Sequence, residues 1–309
     1  MDQFFKSNIS AEIPNQFIAE IGDGCELWLK REDLLHPQVS GNKFRKLKYN
    51  LLEAQKGNYS SIITFGGAHS NHIAATAAAG KILGFKIFGI VRGEELENSK
   101  DRWSPTLKFA ESCGMNFWFI SREEYREKDS VDFLKTIREK YQDPYLIPEG
   151  GTNEKAIQGC SEILKEEDKK FRFVCSSVGT GGTLAGLINS SVENQQIFGF
   201  SSLKSNHLQT EISELVKKQN WKIVLDYHFG GYAKVDQSLI EFMNLFYKNY
   251  NIKLDPVYTG KLLFGIFDLA KKGYFPKGSK ILAIHTGGLQ GIEGMNQRLL
   301  KKNLPQIEY

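Results

Sequence analysis

Short apolar runs alternate with stretches of helical period along most of the chain. Ser61-Ile62-Ile63-Thr64-Phe65 is a continuous run that stops at Gly66-Gly67, and it reads as a buried strand. The alanine-rich segment Asn71 to Leu83 reads as a helix, and Lys86 to Val91 as the next strand. Thr106 to Ser112 is a helix stopped by Gly114, and Asn116 to Ile120 is a strand. A charged helix from Val131 to Tyr141 precedes a short strand, Tyr145-Leu146-Ile147. Strands alternating with helices predict a parallel sheet with helices on its faces.

Glu149-Gly150-Gly151-Thr152-Asn153 interrupts the alternation and reads as the return between two lobes. Beyond it the pattern resumes. Ile157 to Leu164 reads as a helix, and Phe171 to Cys175 as a strand. Ile197 to Phe200, Trp221 to Leu225 and Ile281 to His285 are further strands. The expectation is an α/β protein of two doubly wound lobes with mainly parallel sheets. Residues 1–47 and 154–309 form the larger lobe, and 48–153 the smaller. Ligands in such sheets bind beyond the carboxyl ends of the strands.

Composition narrows the function. A formal charge of +4 on 309 residues is too small and too dispersed for a nucleic-acid surface. Cys25, Cys113, Cys160 and Cys175 make no Cys-x-x-Cys pair and no His cluster completes a metal set, so reduced thiols and no metal are expected. The opening Met1-Asp2-Gln3-Phe4-Phe5-Lys6 lacks a signal-peptide pattern, and no apolar stretch is long enough to span a bilayer. A cytoplasmic protein is the expectation.

Four segments can carry chemistry. In Val39-Ser40-Gly41-Asn42-Lys43-Phe44-Arg45-Lys46-Leu47, Lys43 stands at the start of a helix-like stretch. It is either one more exposed lysine or, in a dry pocket near other cations, a free amine able to form a Schiff base. Ser177-Val178-Gly179-Thr180-Gly181-Gly182-Thr183 follows a strand and opens a helix. Its N–H groups and hydroxyls can cradle a phosphate, or it is a tight turn without a ligand. Gly66-Gly67-Ala68-His69-Ser70-Asn71-His72 is a donor nest suited to a carboxylate, with Ser70 equally a helix cap. For His69 and His72 a structural role outweighs acid–base work. Last, Asp255-Pro256-Val257-Tyr258-Thr259, Gly230-Gly231-Tyr232 and His285-Thr286-Gly287-Gly288 supply tyrosines able to stack on a planar ring and a threonine able to bond a ring nitrogen.

Together these segments resemble the fold-type II pyridoxal-phosphate enzymes, the tryptophan synthase β-subunit-like group. Within it they resemble the family of 1-aminocyclopropane-1-carboxylate (ACC) deaminase and D-cysteine desulfhydrase. The resemblance runs from Leu27-Trp28-Leu29-Lys30-Arg31-Glu32-Asp33-Leu34 to the His-Thr-Gly-Gly end, and the stretch from Lys30 to Leu47 is the most specific part. It implies pyridoxal 5'-phosphate as cofactor, with Lys43 as the Schiff-base lysine and Lys46 near the phosphate. Gly179, Thr180, Gly181, Gly182 and Thr183 would hold that phosphate. Asn71 would contact the phenolic oxygen, and Thr286 the ring nitrogen. Ser70, with Asn71 and His72, would hold the substrate carboxylate. Tyr258 would lie against the ring, with Tyr232 the second active-site tyrosine. The resemblance also implies a homodimer and a small amino acid as substrate.

The reaction within the family turns on few positions. ACC deaminases carry a glutamate after the tyrosine of the Asp-Pro-Val-Tyr motif, whereas this chain has Thr259. A hydroxyl there resembles the β-eliminating relatives. The sequence therefore points to D-cysteine desulfhydrase-like elimination, giving pyruvate, ammonia and sulfide. ACC deamination to α-ketobutyrate is the alternative. His69 and Ala233-Lys234-Val235 depart from both named activities. Two further rivals are a nucleotide-binding oxidoreductase using the glycine loop and a non-catalytic cofactor-binding protein. The first is disfavoured because no carboxylate follows at the end of the next strand.

Overall fold

A computed structural model describes Met1, residues 3–5, 13–205 and 207–309. Asp2 and Lys6 of the opening stretch lie outside the described residues. The chain begins with a hairpin, β1 (Asn15–Ile21) and β2 (Cys25–Lys30), paired antiparallel. Helix α1 (Asn42–Lys56) follows. The next stretch is β3 (Ser61–Gly67), α2 (Asn71–Leu83), β4 (Lys86–Arg92), α3 (Pro105–Ser112) and β5 (Met115–Ile120). It continues with α4 (Arg122–Arg126), α5 (Val131–Tyr141) and β6 (Tyr145–Ile147). Then come α6 (Glu154–Cys160), β7 (Phe173–Val178), α7 (Gly182–Ser190) and β8 (Gln196–Ser201). The last are α8 (Leu208–Ser213), β9 (Trp221–Val224), α9 (Gln237–Tyr250), α10 (Thr259–Lys271), β10 (Lys280–Ile284) and α11 (Ile292–Leu300).

The strands form two sheets. The order is β1-β2-β10-β7-β8-β9 in one and β5-β4-β3-β6 in the other. Apart from the β1–β2 hairpin every pairing is parallel. Both sheets are covered on two faces, and their strands show why. In β10, Ile281 and Ala283 enter one apolar cluster with Leu262, Leu263 and Ile266 of α10, while Leu282 and Ile284 enter another with Leu184, Leu187 and Ile188 of α7. A strand buried on both faces reads as a continuous apolar run, the pattern seen in the sequence.

Helix α2 is buried from His72 to Gly80, which explains its alanines. A Cβ at Gly80 would overlap Ile87 of β4, so the helix lies close on its sheet. Two of the expected elements are shifted by two or more residues at both ends. The helix expected at 157–164 spans Glu154–Cys160, because the Asn153 side chain accepts from Ala156 N and caps it earlier. The strand expected at 171–175 spans Phe173–Val178, because a one-turn helix at Glu166–Lys170 runs up to Phe171. Among the described residues no helix is long and apolar enough to cross a membrane.

Candidate active site

Helix α1 is anchored so that two lysines face one cleft. Its N-cap, Gly41, has φ 62° and fits against the Thr286 carbonyl, which a Cβ there would overlap. Phe44, Leu47 and Leu51 enter the core. Arg45 makes two bonds to the buried Glu32 carboxylate, at 2.8 and 2.9 Å. Lys43 and Lys46, three residues apart on the helix, share the remaining face. Lys46 Nζ donates to Gly150 O (2.9 Å), Thr152 Oγ1 (2.8 Å) and Thr180 Oγ1 (3.3 Å). Lys43 Nζ lies 3.4 Å from Gly150 O. Neither has a carboxylate partner among the described residues. Burial and the charge of Lys46 push Lys43 down to about 7, and burial pushes Lys46 down to about 8.

Opposite them, β7 runs through Gly179 into the N-terminus of α7. Gly181 has φ 79°, the left-handed turn that opens the helix. The cleft is lined by Lys43, Lys46, Asn71, Gly179, Thr180, Gly181, Thr183, Tyr258 and Thr286, among others. A Cβ at Gly182 would lie 3.1 Å from Lys46 Nζ, and one at Gly179 would lie 3.2 Å from the Tyr258 ring. These glycines leave a cradle between two cations, a helix N-terminus and an aromatic face. Asn71 Oδ1 is buried and has no partner among the described residues. A phosphate joined to a flat, hydroxylated ring fits this donor set: anion at the lysines and helix end, ring under Tyr258, polar edge toward Asn71 and Thr286.

The structure does not bring every expected residue to the cleft. Ser70 caps α2, accepting from Ile73 N at 3.3 Å, and lies outside the lining. Tyr232 is also outside it and half exposed, but packs edge-on against Tyr258 with ring centroids 6.3 Å apart. His72, grouped with Ser70 and Asn71 as a carboxylate ligand, faces the sheet instead. Thr64 Oγ1 donates to Ile147 O at 2.8 Å and lies 2.8 Å from His72 Nε2, so His72 carries its proton on Nε2. One residue on a helix is a turn of about 100°, which separates the His72 ring from Asn71. Burial and the two lysines hold His72 well below the usual imidazole range. Thr259 is likewise turned inward: its Oγ1 accepts from Asp255 N at 2.7 Å. At the end of β10 it is Thr286 that lines the cleft, with Ser177 Oγ 3.5 Å from its hydroxyl.

Several participants were missed in the sequence. Asn42 Nδ2 donates to Thr183 Oγ1 at 2.8 Å, tying α1 to the cup. Thr152, from the return segment, lies 2.5 Å from Thr180 through their hydroxyls. Gly150 and Gly151 have φ 65° and 71°, which brings Thr152 over the cup. Asp255 Oδ1 accepts from Tyr258 N (2.5 Å) and Thr259 N (3.4 Å), while its buried Oδ2 has no partner among the described residues. Burial pushes this carboxyl up to about 7. The visible signals were Asp-Pro ahead of a helix and a threonine beside paired glycines. Tyr258 is held well above the usual phenol range by burial, Tyr232 and Asp255, and Tyr232 is raised chiefly by burial.

Residues 16–287 match the pyridoxal-phosphate dependent enzyme family. A Pyrococcus horikoshii protein, provisionally named 1-aminocyclopropane-1-carboxylate deaminase, is 34% identical over 315 residues, covering 94% of this chain and 93% of its own. The Arabidopsis thaliana bifunctional D-cysteine desulfhydrase/1-aminocyclopropane-1-carboxylate deaminase is 32% identical, covering 87% of this chain and 74% of its own. The crystal structure of an ACC deaminase homologue superposes with a TM-score of 0.76 at 26% identity, over 97% of this chain and 99% of that one.

Proposed function

The chain belongs to the pyridoxal-phosphate dependent enzyme family, with relatives named for ACC deamination and D-cysteine desulfuration, and from that premise we propose that it eliminates a β-substituent from a small amino acid, with D-cysteine favoured. When bound, the cofactor supplies an aldehyde that captures an amine and a ring that takes up the electron pair left at Cα. Lys43 and Lys46, Gly179 to Thr183 and Asn71 are the residues that would hold it. Lys43, pushed down to about 7 and so divided between ammonium and free amine at neutral pH, can take a proton at Nζ and return it. Asn71, with Ser70 at the α2 N-terminus, offers N–H groups and a helix dipole to the substrate carboxylate. Tyr258 and Tyr232 keep their phenol protons at neutral pH and can donate one to a departing thiolate.

One observation carries the choice of reaction. Among the described residues lining the cleft there is no carboxylate, and Thr286 with Ser177 supplies hydroxyls at the strand ends. A hydroxyl does not hold a proton on a ring nitrogen as a carboxylate would. Elimination of thiolate tolerates the weaker electron sink better than opening a cyclopropane does. The second reading, ACC deamination, is favoured by the names of the relatives. The same proposal takes the enzyme to be a cytoplasmic homodimer acting on a free amino acid, with lobes divided at 47/48 and 153/154.

The test is keto-acid release by the cofactor-loaded protein from D-cysteine and from ACC in parallel. Pyruvate and sulfide from D-cysteine alone support elimination. α-Ketobutyrate from ACC at a comparable rate overturns the argument from hydroxyls.

A further inference from the structure

Lys261 is a buried cation that the site described above leaves unused. It lies on the first turn of α10, three residues beyond Tyr258, with 1% of its surface exposed. Its Nζ donates to His228 O at 2.8 Å and to Gly231 O at 2.9 Å. No carboxylate lies within ion-pair distance of it among the described residues. Asp255, the acid that acts on it electrostatically, has committed one oxygen to the Tyr258 and Thr259 amides. Burying an ammonium against carbonyls alone costs stability, so its place calls for a reason.

The segment it holds supplies that reason. Phe229, Gly230, Gly231 and Ala233 have φ of 54°, 91°, 119° and 52°. Left-handed backbone at two non-glycine positions persists only where the surroundings enforce it. The turn's own bonds run from Gly231 N to His228 O (3.0 Å) and from Lys234 N to Gly231 O (3.1 Å). Lys261 binds those same two carbonyl oxygens, clamping both ends of the turn. The turn carries Tyr232, and the helix that carries Lys261 begins at Tyr258.

We propose that Lys261 is a positioning residue: by clamping the His228 and Gly231 carbonyls it holds Tyr232 edge-on to Tyr258 at the mouth of the cleft. The inference rests on Tyr232 serving as a proton donor at the reacting centre. Burial pushes the Lys261 ammonium down to about 8, consistent with a cation lacking a counter-ion.

The test uses the full, cofactor-loaded chain. Lys261→Met should speed amide hydrogen exchange across residues 228–234 by about tenfold or more, leaving exchange in α7 unchanged. The bound cofactor's visible absorbance should persist, because the cup lies on other elements. In a double-mutant cycle with Tyr232→Phe, the loss in kcat/KM caused by Lys261→Met should vanish once Tyr232 has lost its hydroxyl. Lys261→Arg, which keeps donors for two carbonyls, should restore part of both readouts and serves if the methionine variant does not fold. Unchanged exchange at 228–234, or a full loss of kcat/KM persisting in Tyr232→Phe, overturns the proposal. If the wild-type protein releases keto acid from neither amino acid, the functional reading fails, and hydrogen exchange still decides the role of Lys261.

Discussion

The glycine cup at Gly179 to Thr183 and the tyrosine wall of Tyr258 and Tyr232 flank one cleft and are held in different ways. The cup is local. A strand end, a left-handed glycine and a helix N-terminus lie within seven consecutive residues, Ser177 to Thr183, and two lysines one turn apart face them. The wall is assembled from afar. Tyr258 rests on a capping Asp255 with one unpartnered oxygen, Tyr232 on a left-handed turn clamped by Lys261, and the Tyr309 hydroxyl bonds both the N–H and the carbonyl of Leu254 at 3.0 and 2.9 Å. In the proposed function, cofactor capture rests on backbone N–H groups, glycine space and cations, which tolerate drift elsewhere. The proposed proton delivery rests on buried polar supports, which do not, since each leaves a costly unpaired group when one partner is removed.

This contrast can be broken first at Lys43, which the proposed function places on both sides. Lys43→Ala should lower kcat/KM by about a thousandfold or more and abolish the visible absorbance shift of the cofactor, read by absorbance and keto-acid assay. Full turnover in that variant would remove the mechanism. The pH response comes next. With a value of about 7, Lys43 is an ammonium below that pH and a free amine above it. In cofactor-free protein its reaction with an amine-directed reagent should rise with pH through about 7, where surface lysines are still unreactive, as peptide mapping would show.

Gly41→Ala tests the joint between the helix of Lys43 and the strand of Thr286. Positive φ and overlap with the Thr286 carbonyl predict a loss of about 2–4 kcal/mol in chemical denaturation. Tyr309→Phe probes the wall alone. Loss of bonds to the Leu254 backbone should cost about 1–2 kcal/mol and lower kcat, leaving cofactor affinity unchanged. An equal drop in cofactor affinity would mean that cup and wall are one unit. The smallest effect belongs to Thr259→Val. It should cost about 1 kcal/mol through the lost Asp255 bond, and leave the ratio of D-cysteine to ACC turnover as it was. A changed ratio would return Thr259 to the specificity argument.

Much of this was legible along the chain. Continuous apolar runs and an alanine-rich helix specify strands and helices buried on all sides, because such segments have no other stable place. The glycine loop and the lysine pair are visible because their geometry is fixed within one turn. The antiparallel hairpin β1–β2 was not read as strands, since Lys30 and Glu26 within it look like surface positions. In the structure Lys30 is buried against Asp168 at 2.7 Å, a partner 138 residues away.

The sequence by itself determined the class of fold and the cofactor, and it marked out the glycine loop and the lysine pair that line the cleft, because glycine turns, helix ends and closely spaced lysines act over a few residues. Only the tertiary structure decided which polar side chains face the cleft. It turned His72 toward Thr64 and Thr259 toward Asp255, left Thr286 exposed to the site, and set Lys261 beneath the turn of Tyr232. Where a side chain points depends on the partners that satisfy its buried donors and acceptors, and those partners are brought together only when distant segments pack.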